Sequence, residues 1–117
     1  MKVVVTGGRS YANRELVYDV LDRLHGVVFL IHGGAPGADR LASDWADSRG
    51  VINVSFNVRP NAWTRFGRRA GPLRNEQMMV LKPDLVIAFP GGKGTRNCIL
   101  QARRRNIQVV EITDDTN

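Results

Sequence analysis

A second cysteine is missing from this chain. Cys98 stands alone, so no intrachain disulfide can form, a usage that fits a reducing compartment. Histidine is nearly as scarce. With only His25 and His32 beside that cysteine, a zinc site has too few ligands, and neither a metal nor an organic cofactor is implied. No apolar run approaches the length that crosses a bilayer, and the stretch 1–6 is too short for a signal peptide. The expectation is a soluble, cytoplasmic protein that engages no membrane. Two familiar phosphate-binding spellings are absent as well. Nowhere does Gly-Lys precede Ser or Thr as the P-loop pattern requires, and the three-glycine dinucleotide spacing does not occur. Ordinary ATPase and NAD-dehydrogenase readings therefore lose support.

Lysine occurs only at 2, 82 and 93, so arginine supplies most of the positive charge. The net charge is +6 and the pI about 10.4, which directs attention to anionic partners. Arginine's planar fork suits bidentate phosphate contacts better than lysine does. At 117 residues the chain reads as a single domain, 1–117, able to bury about 60% or more of its unfolded surface.

Valine-rich or apolar runs alternate with helical patterns. Strands are expected at 2–6, 27–32, 51–56, 85–89 and 107–112. Helices are expected after Asn13, where Leu16, Val17, Val20, Leu21 and Leu24 repeat at helical spacing, after the turn 33–39, from about 73 to 82, and from about 95 to 105. Gly26, Gly50 and Asn106 are natural helix stops. Residues 57–73 show no clean period, although a short helix fits part of them, and 113–117 reads as a frayed tail. Strands alternating with helices imply a parallel sheet covered on both faces, a Rossmann-like three-layer α/β sandwich with strand order 3-2-1-4-5. In such sheets a ligand sits beyond the carboxyl ends of the strands, where the winding reverses.

The stretch 84–95, Asp-Leu-Val-Ile-Ala-Phe-Pro-Gly-Gly-Lys-Gly-Thr, organises the rest. A buried strand meets a glycine-rich turn, and a helix follows with Thr95 as the expected N-cap. Free amides and the positive end of a helix dipole would face the turn. Pro90, Gly91, Gly92, Lys93, Gly94 and Thr95 are therefore candidate phosphate contacts. The turns carrying Gly7, Gly8 and Arg9, and Gly33, Gly34 and Asp39, should converge on the same edge.

Pro90-Gly91-Gly92-Lys93-Gly94-Thr95 resembles the Pro-Gly-Gly-x-Gly-Thr signature of the SLOG superfamily. That superfamily includes the Lonely Guy phosphoribohydrolases, the Rossmann domain of DNA-processing protein A, and small YspA-like and YpsA-related proteins. The turns at 7–9 and 33–39, Trp45-Ala46, and the stretch 70–78 are similar to the YspA-like branch in particular. The resemblance implies a Rossmann-like domain that binds a nucleotide or a nucleotide-derived ligand, as a sensor or a sequestering protein. It also implies a homo-oligomer, since related members often assemble. Lonely Guy enzymes have an arginine in a similar Arg-x-x-x-Met context, here Arg74 to Met78. Arg74, with Asn75 beside it, thus becomes a candidate ligand anchor.

Those enzymes also carry a catalytic glutamate three residues after the signature threonine. Here that position is Cys98, which cannot replace a carboxylate beside an oxocarbenium-like sugar. Lonely-Guy-like N-glycosidic hydrolysis of nucleoside monophosphates stays an alternative. Glu76 is then the one nearby carboxylate that could compensate, although a solvated helix position explains it better. A second alternative is nucleic-acid binding. Arg59, Arg65, Arg68 and Arg69, interleaved with Trp63 and Phe66, could track the phosphates of a single strand while an aromatic ring stacks on a base. Trp45 is expected in the core and Asp84 at the far end of its strand. The triplet 103–105 is expected at a helix C-terminus, where positive charge suits the dipole.

Overall fold

The computed structural model describes residues 1–58 and 60–114, without the side chains of Pro60, Trp63 and Thr64. Five parallel strands, β1 (Lys2–Thr6), β2 (Phe29–His32), β3 (Ile52–Ser55), β4 (Leu85–Ala88) and β5 (Gln108–Glu111), form one sheet in the order β3-β2-β1-β4-β5. The helices are α1 (Arg14–Asp22), α2 (Ala38–Arg49), α3 (Pro60–Phe66), α4 (Ala70–Val80) and α5 (Lys93–Arg104). A 3-10 turn, Gly67–Arg69, joins α3 to α4.

The valine run of β1 is buried on both sides because β1 lies at the centre. Val3 and Val5 face one layer with Leu30, Leu85, Ile87 and Phe89, packed against Val17 and Leu21 of α1 and Leu41, Ala42 and Trp45 of α2. Val4, Ile31 and Val86 face the other layer, against Met78 and Met79 of α4 and Cys98 and Ala102 of α5. This period-2 division of a continuous apolar run is how a central parallel strand serves two helix layers. The edge strands are less covered, and Ile52 and Val110 are exposed.

Several boundaries differ from expectation. Helix α4 begins at Ala70, three residues earlier than the pattern predicts, because Pro72 falls in the first turn, where no amide is needed for helix bonding. The aperiodic stretch 57–73 contains α3 and the 3-10 turn. Helix α1 ends at Asp22, with Arg23 as C-cap, so Gly26 (φ +75°) acts in the connection beyond it. Asn13 caps α1 as expected, its side chain accepting from the Leu16 amide. Gly50 and Asn106 adopt the left-handed conformation (φ +69° and +58°). Asp84 accepts from the Lys2 amide at 2.8 Å, on the edge opposite the glycine turns. No helix among the described residues is long and apolar enough to cross a membrane.

Candidate functional site: a cleft built from three glycine turns

The chain winds from β1 to β2 through one layer and from β3 to β4 through the other. The reversal between β1 and β4 leaves a cleft above their carboxyl ends. Gly8 holds its walls together. Its amide donates to the Pro90 carbonyl (2.8 Å), and its carbonyl accepts from the Ala38 amide (3.2 Å). The turns after β1, β2 and β4 are thereby joined around one opening of about 1110 Å³.

Of the expected ligand residues, Gly7, Gly8, Arg9, Gly33, Gly34, Asp39, Arg74 and residues 90–95 all line this cleft. Arg9 and Lys93 are exposed. Arg74 is half-buried, and its position is fixed. Nη1 donates to the Gly33 carbonyl at 2.8 Å, and Nε donates to Asn75 Oδ1 at 3.0 Å.

Asn75 does not line the cleft. It lies beneath, 2% exposed, where Nδ2 donates to the Gly94 carbonyl and to Asn97 Oδ1. It therefore orients Arg74 and fastens the first turn of α5 instead of presenting itself to a ligand.

Thr95 is not the N-cap. Helix α5 starts at Lys93 after Gly92, and no side chain caps it. Thr95 is buried in the first turn, against Gly91. Among the described residues, no protein group accepts from the amides of 91–95. These donors and the helix dipole face the cleft with no acidic residue in the first turn to offset them.

Asp39 is buried, and its Oδ2 accepts from the amides of Gly33 (3.0 Å) and Ala35 (3.3 Å). Burial pushes its carboxyl above the ordinary range. The two amides and the nearby His32 and Arg74 pull the other way. His32 is fully engaged, with Nδ1 accepting from the Gly34 amide and Nε2 paired with Asn53 Oδ1. Among the described residues no cluster of His, Cys, Asp and Glu could hold a metal ion.

One wall has no counterpart in the sequence reading. Asp114 reaches the cleft from the end of the chain and accepts from Tyr11 Oη (2.8 Å) and Asn13 Nδ2 (3.1 Å). Tyr11 packs on Phe89, and burial, followed by Asp114, raises its phenol pKa. A lone aspartate in a polar tail carries no sequence signal of this kind.

Cys98 is completely buried in the α4/α5 layer, and burial pushes its thiol up to about 11, so it is neutral at physiological pH. Glu76 is exposed and lines the neighbouring grooves instead of the cleft. Arg65, Arg68 and Arg69 are also exposed outside the cleft. Arg59 and the Trp63 side chain lie outside the described residues.

Known proteins place this geometry in context. The chain is similar to the Gene 61 protein of Mycobacterium phage D29, with 40% identity over 124 residues and 97% of each chain covered. Its fold is similar to that of the protein TM1055, with a TM-score of 0.68, 21% identity, and 92% of this chain and 71% of the other covered. It is also similar to DNA processing protein A of Streptococcus pneumoniae, with a TM-score of 0.55 and 18% identity. There the match takes in 93% of this chain but spans only 58% of the other. The family model for YspA, cpYpsA-related SLOG proteins matches residues 1–65, more than half the chain. On that match and the identity to the phage protein, this chain belongs to the YspA, cpYpsA-related SLOG family.

Proposed function

We propose that the cleft binds a nucleotide or nucleotide-derived ligand, with a phosphate group on the amides of residues 91–95 and Arg74 as a charged partner. The observation that carries this reading is the run of unengaged amides at the start of α5, facing a cleft in which Arg74 is already held in place. Backbone donors at a helix start suit an anion, and a held guanidinium loses less freedom when it pairs with one. Lys93 and Arg9 add charge at the rim.

The role is binding, as a sensor or a sequestering protein, and not turnover. Cleaving an N-glycosidic bond builds positive charge on the sugar, which a neighbouring carboxylate would stabilise. Cys98 is neutral and buried, and Glu76 is outside the cleft. Asp39 and Asp114 do line it, but both are held by donors of the protein itself. The assembly we expect is a homo-oligomer, which light scattering at high concentration tests.

Calorimetry with nucleoside monophosphates, ADP-ribose and cyclic nucleotides tests the binding reading. One class should bind clearly better than the others, and Arg74→Ala should weaken it. Equal, weak binding of all of them would remove the reading. A parallel assay for free base should detect little release from nucleoside monophosphates. Robust release abolished by Glu76→Gln would make the protein a phosphoribohydrolase.

A further inference from the structure

The arginines of this protein are not spread evenly. Residues 13–50, which include α1 and α2, contain four basic and six acidic side chains. Residues 60–105, from α3 to α5, contain ten basic and two acidic ones. Pairing deepens the contrast. Arg14, Arg23, Arg40 and Arg49 each meet an aspartate of α1 or α2. On the opposite layer, among the described residues, only Arg103 forms an ion pair, with Glu111 of β5. Arg65, Arg68, Arg69 and Arg104 meet no carboxylate among the described residues, and Arg105 donates to the Gln101 carbonyl.

We propose that this second layer, whose larger groove borders the nucleotide cleft at Asn57, Val58 and Arg74, is a docking surface for single-stranded nucleic acid. The fold brings together arginines far apart in sequence. Arg69 of the 3-10 turn lines one groove of about 430 Å³ with Arg104 and Arg105 at the end of α5. An adjoining groove of about 930 Å³ contains Arg65 and Phe66, and the two share Leu73 and Glu76 across α4. Phe66 is 39% exposed, and the Arg65 guanidinium lies 5.2 Å from its ring centroid. That pair offers a base a stacking surface beside a phosphate contact. The helix dipole alone does not account for the α5 terminus, because the surplus continues onto the 3-10 turn. Exposed guanidinium forks along two grooves suit the phosphates of a flexible strand that can follow them. A flat bilayer would reach only the rims. Glu76, shared by both grooves, opposes a polyanion and limits its affinity.

The test is fluorescence anisotropy of a labelled oligothymidylate with the full chain at several salt concentrations. About four phosphate contacts predict a loss of affinity on the order of 50-fold between 50 and 200 mM salt. The triple variant Arg69→Ala/Arg104→Ala/Arg105→Ala should cut affinity by at least about tenfold and lower the salt slope by about 2. It should keep its melting temperature and its nucleotide binding. The variant Arg14→Ala/Arg23→Ala/Arg40→Ala removes the same charge from the other layer and should change affinity less than about threefold. Equal losses in the two triples would reduce the effect to net charge and overturn the proposal. So would binding to phosphatidylserine vesicles without binding to the oligonucleotide. Should the first triple fail to fold, Glu76→Gln decides, since it should tighten strand binding, and an unchanged or weaker complex would overturn the proposal. Gly92→Val, aimed at the cleft, should leave strand binding intact, so failure of the cleft reading and failure of this one are separable.

Discussion

The turns after β2 and β4 are spelled alike, Gly-Gly-Ala-Pro-Gly and Gly-Gly-Lys-Gly, and they lie at the same sheet edge. Their chemistry differs because one carries its own anion. In the β2 turn, the Asp39 carboxylate takes the amides of Gly33 and Ala35, His32 takes that of Gly34, and Arg74 takes the Gly33 carbonyl. In the β4 turn no group among the described residues accepts from the amides of 91–95. The space differs too. A side chain at Gly33 would strike the Arg74 guanidinium, whereas Gly92 and Gly94 open onto empty space. Glycine richness alone therefore does not mark a ligand site. What matters is whether the turn's donors are already occupied.

Substitutions can break this contrast. The largest effect is expected at Gly37, which has φ +80° and would set a Cβ against the Gly8 carbonyl, a backbone atom that cannot swing aside. Gly37→Val should cost about 3 kcal/mol or more, read as a lower urea midpoint. Gly92→Val, in the open turn, should leave the midpoint nearly unchanged. If both variants were equally stable, the β2 turn would not be the packed structural element described here.

Asp39→Ala comes next. It removes the acceptor from one buried and one part-buried amide, for a cost of about 1–3 kcal/mol in chemical denaturation. It should also turn the β2 turn into a second open set of donors. Inorganic phosphate should then stabilise this variant more than it stabilises the native protein. The absence of that gain would show that free amides in a glycine turn are not enough to hold an anion.

The open turn sharpens the comparison from the other side. Gly94 lies in the first turn of α5 at a spacious position, so Gly94→Ala should raise helix stability by up to about 1 kcal/mol. It should nevertheless weaken the calorimetric affinity for the best nucleotide, because a methyl group would stand where the proposed ligand approaches. Stability and affinity should move in opposite directions. A variant that gains stability and keeps its affinity would move the ligand away from this turn.

The architecture was legible because burial leaves a periodic mark. The continuous apolar runs in β1 and β4, separated by helical patterns, gave the sheet and its order. The converging turns followed from that order. Local packing leaves weaker marks. Thr95 looked like a cap because three glycines precede it, yet Lys93 and Gly94 are already helical and the threonine is needed against Gly91. Asn75 looked like a ligand contact through its neighbour Arg74, but the side chain turns into the protein toward Gly94. Asp114 left no mark, since its role depends on Tyr11 and Asn13 at the other end of the chain.

The smallest expected effect separates Asp39's charge from its acceptor role. Burial raises its folded pKa, so the ionised form is less favourable in the native protein than in the unfolded chain. The sign follows from linkage. This cost is absent below the unfolded value near roughly 3.9 and grows as pH rises through the higher folded value. Asp39→Asn retains an oxygen for the Gly33 and Ala35 amides and cannot ionise. The melting-temperature difference, variant minus native, should therefore increase as pH is raised from the acid range toward neutrality, then level off. Thermal melts at a series of pH values measure it directly. A difference that falls with rising pH would mean that the turn prefers the ionised carboxylate. The β2 turn would then be an anion site in its own right, occupied by its own side chain, and only that occupant would distinguish it from the turn after β4.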